Sequence, residues 1–323
     1  MNLQTTVDIQ QPKSRISHLD SLLFIGSCFA ENIGNKTLAY KFKTVINPCG
    51  IAYNPISATN TIALISKNKC LKENDFVFND DLWHSLHHHG RFSQQELDKT
   101  KTLIAEEIKQ GYNQIVVASH IFLTLGTSWV FEHIATEQVV TNCHKLPAKH
   151  FRRRKLSIQE VTNALQTAIH QIRELNSTAE IIFTVSPVRH LKDGLHKNQL
   201  SKATLLLGIE KLQQVDKTIG YFPAYEIAMD ELRDYRFYAQ DFTHLNELGT
   251  NYIWERFCET YIKKESQALF PALEKLHKAL HHRAINKETS AYQKFKAKVL
   301  SQIESLEYKL PFINFTKEKE QLN

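Results

Sequence analysis

The stretch "LLFIGSCFAENIG", residues 22–34, joins a short apolar run to a glycine, a serine and a helical pattern. Residues 22–25 carry no polar side chain, which is typical of a strand covered on both faces of a sheet. Gly26 and Ser27 follow that run directly. Open α/β proteins bind ligands at the carboxyl edge of the sheet, so Ser27 is either a turn residue or a nucleophile at that edge. The choice depends on whether the chain also supplies a base, a carboxylate and oxyanion donors.

The composition predicts a soluble protein with a large core. The 323 residues are 42% hydrophobic, enough for one large domain with additions or for two domains. No apolar run approaches the roughly 18 residues of a membrane span, and the start of the chain lacks the pattern of a secretory signal. The five cysteines are odd in number and include no Cys-x-x-Cys pair, which favours a reducing compartment. We therefore expect a cytoplasmic location.

The basic residues give little support for a nucleic-acid partner. The formal net charge of +6 is mild for this length, and the densest basic run is "FRRRK" at 151–155. Such a run is typical of a solvated helix start. Aromatic residues are not interleaved with the basic ones and no zinc-finger spacing is present, so we expect no nucleic-acid partner.

Helical and strand patterns alternate along most of the chain. The strand patterns lie in residues 22–26, 44–46, 114–131, 138–140 and 179–185. The helical patterns lie in residues 29–42, 54–66, 93–110, 157–175, 201–215 and 245–262. Ser157 and Glu160 are spaced as a capping box at one helix start. This alternation favours a mostly parallel sheet with helices on both faces.

From about residue 264 the strand patterns stop. The pattern of residues 268–310 predicts two helices, with a break near Asn286 and a second start at about Thr289. We expect residues 1–263 to form the α/β domain. Residues 264–323 are then a helical extension packed on that same domain.

Three Asp-x-x-His sequences are candidates for the base and its carboxylate. They are Asp81/His84, Asp193/His196 and Asp241/His244. A weak nucleophile such as serine needs a base, and the carboxylate orients the imidazole. Asp241 and His244 directly precede a long amphipathic helix at the end of the α/β part, whereas the other two pairs lie in polar insertions. Position therefore favours Asp241 and His244.

An acyl-transfer site also needs donors for the oxyanion. Backbone N–H groups at the helix start near Cys28 are candidates, because the helix dipole adds to their effect. Gly126 closes an apolar run and would bring a second N–H close to the substrate, unless it is a plain turn residue. Asn142 would add an uncharged side-chain amide, unless it forms an Asx turn.

Other residues allow alternative chemistry. His84, His87, His88 and His89 would suit a metal such as zinc, although clustered histidines on a polar loop are more often exposed. Cys28 is either a second candidate nucleophile or a small buried residue. Arg189 and His190 follow a buried strand, and Arg189 would either clamp a carboxylate or phosphate or pair with an acid of "AMDELRDYRF".

The chain resembles the GSCFA family as found in Bacteroidetes-type bacteria. The resemblance rests on "GSCFAENIG", "INPCGIAYNPIS", "LTLGTSWVF", "TNCHKLP", "FTVSPVRHLKDGLHKNQLSKATL", "YFPAYEIAMDELRDYRFYAQDFTH" and "ALHHRAINKETSAYQKF", which together span nearly the whole chain. That family is similar in organisation to the SGNH (GDSL-like) hydrolases and to acyl esterases of plant and bacterial polysaccharides. The resemblance implies a three-layer α/β/α fold with a Ser-His-Asp triad.

The resemblance also implies roles for individual residues. Ser27 is the nucleophile, Asp241 and His244 complete the triad, Gly126 takes the glycine position, and Asn142 supplies an oxyanion amide. The chain departs from the SGNH pattern in two places, having Gly-Ser-Cys for Gly-Asp-Ser and Gly-Thr-Ser-Trp for Gly-x-Asn-Asp.

These observations predict a serine esterase or acyltransferase without a cofactor. Small acyl groups on carbohydrate are the expected substrates by family analogy, with Arg189, His190 and His144 contacting the substrate. Two alternatives stay open. A non-catalytic binding protein on this fold would have Ser27 buried or beyond hydrogen-bonding distance of His244. A metal-dependent enzyme would have the imidazoles of residues 84–89 converging.

Overall fold

A computed structural model describes residues 5–280 and 289–322. The strands are β1 Ser21–Gly26, β2 Lys43–Ile46, β3 Val77–Asn79, β4 Leu82–His84, β5 His120–Leu125, β6 Trp129–His133, β7 Gln138–Val140, β8 Phe151–Lys155, β9 Glu180–Val185 and β10 Gly220–Tyr221. The helices are α1 Cys28–Ala39, α2 Pro55–Ser66, α3 Leu97–Val117, α4 Ile158–Leu175, α5 Leu195–Val215, α6 Ala224–Glu226, α7 Glu247–Tyr261, α8 Lys264–Gln267, α9 Phe270–Leu280, α10 Ser290–Lys309 and α11 Thr316–Leu322. A π-helical turn, Ile227–Glu231, follows α6.

A five-stranded parallel sheet in the order β10-β9-β5-β1-β2 forms the centre of the fold. Alternate residues of β1 face two different hydrophobic clusters. Leu23 and Ile25 pack with residues of α2, α3, α4 and α5, whereas Leu22 and Phe24 pack with residues of α1 and α7. Because successive strand side chains point to opposite faces, an uninterrupted apolar run requires a layer of helices on each side. The predicted three-layer α/β/α fold with a mostly parallel sheet is confirmed.

Two helices begin at the N-capping residues that the sequence predicts. The Ser157 hydroxyl accepts the Glu160 N–H at 3.2 Å and the Glu160 carboxylate accepts the Ser157 N–H at 2.8 Å, which forms the predicted capping box. Thr289 caps α10 as predicted, with its hydroxyl accepting the Tyr292 N–H at 3.2 Å. The predicted break near Asn286 lies outside the described residues.

Two predictions of secondary structure are wrong. Residues 114–117 belong to α3, which ends at Val117, and the strand pattern begins only at His120. The run 151–155 is strand β8 and not a helix start. β8 pairs antiparallel with β6 in a small sheet that also contains β7.

Charge pairing explains why an arginine run forms a strand. Arg152 and Arg154 both bind the carboxylate of Glu132 on β6, the latter at 2.8 Å from Nε to Oε2. Arg153 lies on the other face and binds Asp193, with 3.0 Å from Nε to Oδ1. Since strand side chains alternate, the three guanidinium groups are separated and each meets an acid.

The C-terminal helices α9, α10 and α11 share their own apolar cluster. This cluster contacts the α/β part through residues that follow α1. The Tyr40 hydroxyl donates to Glu274 at 2.6 Å, and Lys41 binds Glu318 at 2.8 Å. The predicted boundary between residues 263 and 264 falls between α7 and α8 and stays a prediction. No helix of the described residues is both long enough and apolar enough to cross a bilayer.

Gly26 is required where β1 passes β5. Its φ is +143°, and a Cβ built on it would lie 2.0 Å from the carbonyl oxygen of Thr124. We expect Gly26→Ala to lower the free energy of unfolding by about 3 kcal/mol or more, because both the backbone conformation and the contact become unfavourable. Urea unfolding followed by circular dichroism measures this change.

Gly90→Ala is the matched control. The nearest atom to a Cβ at Gly90 is His144 Nδ1 at 4.0 Å, so we expect a change within about 1 kcal/mol. Equal stability of the two variants would contradict the close approach of β1 and β5.

Candidate active site

Ser27 lies at the carboxyl edge of β1 and begins α1. Its N–H donates to the Thr124 carbonyl at 3.0 Å, and as the N-cap its hydroxyl accepts the Phe29 N–H at 3.3 Å. The side chain is 0% exposed. Ser27 thus directly follows the last residue of β1 and caps α1, so the chain passes from strand to helix at this residue.

Gly126 lies beside Ser27 at the end of the neighbouring strand β5. A Cβ at Gly126 would lie 3.4 Å from Ser27 Cβ and 2.9 Å from His190 Nε2, so these two side chains flank the glycine. The Gly126 N–H, predicted as an oxyanion donor, donates to the Tyr53 carbonyl at 2.7 Å. In this structure that N–H is engaged and does not face open space.

His190 is a neighbour of Ser27 with an unused ring nitrogen. Nε2 is buried and has no hydrogen-bond partner among the described residues. The His190 N–H donates to Asn198 Oδ1 at 2.9 Å, and its ring packs edge-on against Tyr53 with centroids 5.5 Å apart. The imidazole is therefore held beside Gly126 with one polar atom unsatisfied.

Burial keeps the His190 imidazole neutral. Together with the nearby charges of Lys202, Arg153 and His244, and against the opposing charge of Asp193, burial lowers the pKa of His190 to about 4. A neutral imidazole has one N–H donor and one acceptor nitrogen at neutral pH.

Asp241 and His244 form the carboxylate–imidazole pair that their spacing predicts. Asp241 Oδ2 lies 2.7 Å from His244 Nδ1, and Asp241 Oδ1 accepts the N–H groups of Thr243 and His244 at 2.9 and 3.0 Å. The hydrogen bond from the His244 ring, followed by those two N–H groups, lowers the pKa of Asp241 to about 2. Both side chains are about half exposed.

The other two Asp-x-x-His sequences do not form such a pair. His84 Nδ1 lies 2.6 Å from the Ser93 hydroxyl and Nε2 lies 2.9 Å from the Asn79 carbonyl. Asp193 binds Arg153 instead of His196. Position in the chain therefore selected the one sequence of the three that makes the contact.

Arg189 links the Asp241–His244 loop to the segment after β9. Its N–H donates to the Thr243 carbonyl at 3.1 Å. Its guanidinium makes no ion pair among the described residues and instead stacks on Tyr238, 4.2 Å from the ring centroid. The predicted alternative of an ion pair with an acid of residues 228–237 is thus not observed.

Ser27 and His244 are not hydrogen-bonded to each other in the described residues. Ser27 is buried, and its hydroxyl contacts the Phe29 N–H. His244 is half exposed, and His190 lies close to Gly126, where the charge of His244 is one of the causes that lower the pKa of His190. A buried Ser27 without a hydrogen bond to His244 is what the alternative of a non-catalytic binding protein predicts.

Lys202 is a buried residue of the site that the sequence reading missed. It is 1% exposed, and its ammonium donates to the carbonyls of Gly126 at 2.7 Å and Ser186 at 2.6 Å. Burial is the main cause that lowers the pKa of Lys202 to about 7, and Cys28 acts in the opposite direction. The sequence pattern that could have identified Lys202 lies in α5. There Asn198, Ser201 and Lys202 are spaced so that they share one face of the helix, and all three are buried.

Cys28 has a protonated thiol and not an activated one. Burial is the main cause that raises its pKa, and Glu31 adds to the effect, whereas the N–H groups of Cys28 and Phe29 and the charge of Lys202 oppose it. The alternative in which Cys28 is the nucleophile gains no support.

Asn142 and His144 lie with the histidines of residues 84–89. Asn142 Oδ1 accepts the His144 N–H at 2.9 Å, which is an Asx turn. The His144 ring stacks on His84 with centroids 4.4 Å apart, and its Nε2 lies 2.8 Å from the Ser85 carbonyl. Neither residue is hydrogen-bonded to Ser27 in the described part of the chain, so their roles as oxyanion donor and substrate contact stay predictions.

The histidine-rich loop does not supply a set of metal ligands. Among residues 5–280 and 289–322, no three His, Cys, Asp or Glu side chains are arranged to hold a metal ion. His88 is buried, which lowers its pKa to about 3, and its Nδ1 lies 2.9 Å from the Ser85 hydroxyl. The metal-dependent alternative predicted converging imidazoles, and the described residues do not provide them.

The sequence matches the GSCFA family over residues 21–257 and the GSCFA domain protein, C-terminal domain, over residues 273–323. No protein with a curated description matches the sequence. Among solved structures, the fold is similar to an acetyl xylan esterase from the rumen bacterium Butyrivibrio proteoclasticus, with a TM-score of 0.38 and 10% identity. The match covers 79% of this chain and 64% of that esterase, so the chain spans less than two thirds of its length.

We expect His190→Gln to flatten the pH dependence of stability on the acid side. The folded-state pKa of about 4 lies below the ordinary value of 6.5, so the unfolded state takes up the proton first as pH falls. The contribution of neutral His190 to the free energy of unfolding is therefore complete above pH 6.5 and is lost as the pH falls towards 4. The variant should lose about 1 to 3 kcal/mol less over this window than the wild type. Urea unfolding at several pH values measures both curves, and parallel curves would contradict the burial of a neutral imidazole.

Proposed function

We propose that this chain, which belongs to the GSCFA family, is a serine esterase or acyltransferase with Ser27, His244 and Asp241 as its triad. The supporting observation is the 2.7 Å contact between Asp241 Oδ2 and His244 Nδ1. A carboxylate in this position fixes the imidazole tautomer and leaves Nε2 free to accept a proton. The loop that carries this pair is bonded through Arg189 to the segment beside Ser27.

In the proposed reaction Ser27 Oγ attacks the ester carbonyl carbon and its proton passes to His244 Nε2. The carbonyl π electrons move onto the oxygen, which becomes the oxyanion. When the tetrahedral intermediate collapses, the bond to the leaving alcohol breaks and His244 gives its proton to that alcohol. Water or an acceptor hydroxyl then releases the acyl group from Ser27 by the same steps. Hydrolysis and transfer use the same residues and differ only in this acceptor.

Side chains around Ser27 must move before a substrate can reach its hydroxyl. The hydroxyl has to leave the Phe29 N–H, and the His190 ring beside Gly126 has to make room for the acyl group. Catalytic hydrogen bonds are often absent or long before substrate binds, so a separated serine and imidazole are compatible with a triad.

The same geometry supports two donors for the oxyanion. Cys28 is the first residue of α1, where a backbone N–H has no partner within the helix, and the helix dipole favours negative charge there. His190 adds an unpartnered Nε2 that is a donor in one neutral tautomer. Gly126 would have to give up its bond to Tyr53, and Asn142 would have to approach from the histidine-rich loop. We therefore propose Cys28 and His190 as the main donors.

Small acyl groups on carbohydrate are the proposed substrates. This part of the proposal rests on the family resemblance alone. The half-exposed Asp241–His244 pair supports a substrate that approaches from the surface, as a saccharide would.

A binding protein on a hydrolase fold is the second candidate function. The observation in its favour is the complete burial of Ser27, together with the N-capping bond that occupies its hydroxyl. In that case Ser27 is a structural cap and the Asp241–His244 pair stabilises its own loop.

Labelling with a fluorophosphonate probe distinguishes the two functions. We expect an adduct on Ser27 in the wild type and in Cys28→Ala, and none in Ser27→Ala, because only an activated serine attacks the phosphorus centre. Mass mapping of the labelled peptide identifies the residue. If no adduct forms under conditions in which a control esterase is labelled, the binding protein becomes the better description.

Asp241→Asn tests the role of the carboxylate. An amide at this position holds the wrong imidazole tautomer, so we expect the labelling rate to fall by about 10³- to 10⁴-fold. Asp193→Asn is the matched control, because Asp193 belongs to another Asp-x-x-His sequence but binds Arg153. Equal rates in the wild type and Asp241→Asn would exclude Asp241 from the triad.

A further inference from the structure

A small cavity lies beside the Asp241–His244 loop. Its volume is about 200 Å³, and the residues that give it its chemistry are Arg189, Arg233, Asp234, Tyr235 and Tyr238. We call it the Arg189 pocket. It combines two cationic side chains with two aromatic rings, and neither the triad nor the oxyanion donors use it.

Arg189 is held in this pocket with its charge unpaired. Its guanidinium stacks on Tyr238 at 4.2 Å and on Tyr235 at 5.5 Å from the ring centroids. It makes no ion pair among the described residues, and its hydrogen bond to the Phe242 carbonyl is 3.5 Å long. A guanidinium carries its N–H groups in its own plane as a fork, which is the geometry that binds carboxylate and phosphate groups in two-point fashion.

The neighbouring charges leave the pocket positive. Arg233 is exposed and has no ion pair in the described part of the chain. The only acid of the pocket lining is Asp234, whose carboxylate accepts the Arg236 N–H at 2.8 Å and lies 3.5 Å from its guanidinium. Asp234 is therefore already bound to a cation outside the pocket.

Exposed aromatic rings extend from the pocket towards His244. Tyr235 and Phe242 are 65% and 54% exposed, and their rings meet edge-on at 5.7 Å. Large exposed aromatic side chains that adjoin a polar pocket are typical of ligand-binding grooves. Phe242 lies next to Asp241 in sequence, so a ring stacked here is near the reacting groups.

We propose that the Arg189 pocket binds an anionic group, a carboxylate or a phosphate, on the sugar that carries the ester. The sugar ring lies against Tyr235 and Phe242, and the acyl group extends to Ser27. This inference rests on the proposed function for the identity of the ester, but the anion site stands on its own contacts.

Direct binding to Ser27→Ala tests the pocket separately from catalysis. Calorimetric titration compares D-glucuronate, glucose 6-phosphate and glucose. We expect at least one of the two anions to bind. Glucose should bind at least about tenfold more weakly than that anion, because it lacks the group that makes the charge-assisted two-point contact. The stronger of the two anions identifies carboxylate or phosphate as the natural group. Failure of both anions to bind, or equal binding of glucose, would overturn the proposal.

Arg189→Gln in the Ser27→Ala background should weaken anion binding about 10- to 100-fold. The backbone bond to Thr243 survives this change, and thermal melting checks that the fold does too. Lys192→Gln is the matched control on the segment that carries Arg189, because Lys192 is exposed and lies over the Phe131 ring, outside the pocket. Arg233→Gln, with an exposed side chain, provides a second variant if Arg189→Gln does not fold. Unchanged anion binding in both pocket variants would overturn the proposal.

The two proposals fail in different ways. Anion binding without fluorophosphonate labelling would retain the pocket and reject the esterase. Labelling of Ser27 without anion binding would retain the esterase and reject the pocket.

Discussion

The close approach of β1 to β5 at Gly26 is the constraint on which the candidate site depends. A side chain there would meet the Thr124 carbonyl at 2.0 Å, and the N–H of Ser27 donates to that same oxygen at 3.0 Å. The chain therefore turns out of the sheet at one fixed residue. Ser27 becomes the cap of α1 beside Gly126, which ends the neighbouring strand. Ser27 and Gly126 thus lie at strand ends, whereas His190 and the Asp241–His244 pair come from loops.

A polar face of α5 supports the site from behind. Lys202 bonds the carbonyls of Gly126 and Ser186, which follow the adjacent strands β5 and β9. Asn198 receives the N–H of His190 one helical turn earlier. Burying an ammonium group is costly unless its hydrogen bonds are made, so these contacts fix the spacing of the two strand ends. The same contacts hold the His190 ring beside Ser27.

Five of the histidines form two groups with different environments. His190 and His244 lie at the edge of the parallel sheet, where one ring nitrogen of His190 is unsatisfied. His84, His88 and His144 lie around Ser85, whose hydroxyl and carbonyl bind two of their rings. Unsatisfied ring nitrogens occur in both groups, because His88 Nε2 is also buried without a hydrogen-bond partner among the described residues, and each has unused bonding capacity for a ligand. The number of histidines in the chain therefore says less than the partners that each of them has.

The sequence alone determined the features that depend on near neighbours. The apolar run before Gly26 gave a buried strand, Ser157 and Glu160 formed their capping box, and Asp241 reached His244 three residues away. Tertiary structure decided the rest, because the partners are distant in the sequence. Strand β8 depends on acids of β6 and of the segment before α5, and the Gly126 N–H is taken by a carbonyl from the loop before α2. Lys202 is buried only because α5 packs over two strand ends. A local pattern specifies which chemical groups are present, whereas the fold decides which of them meet.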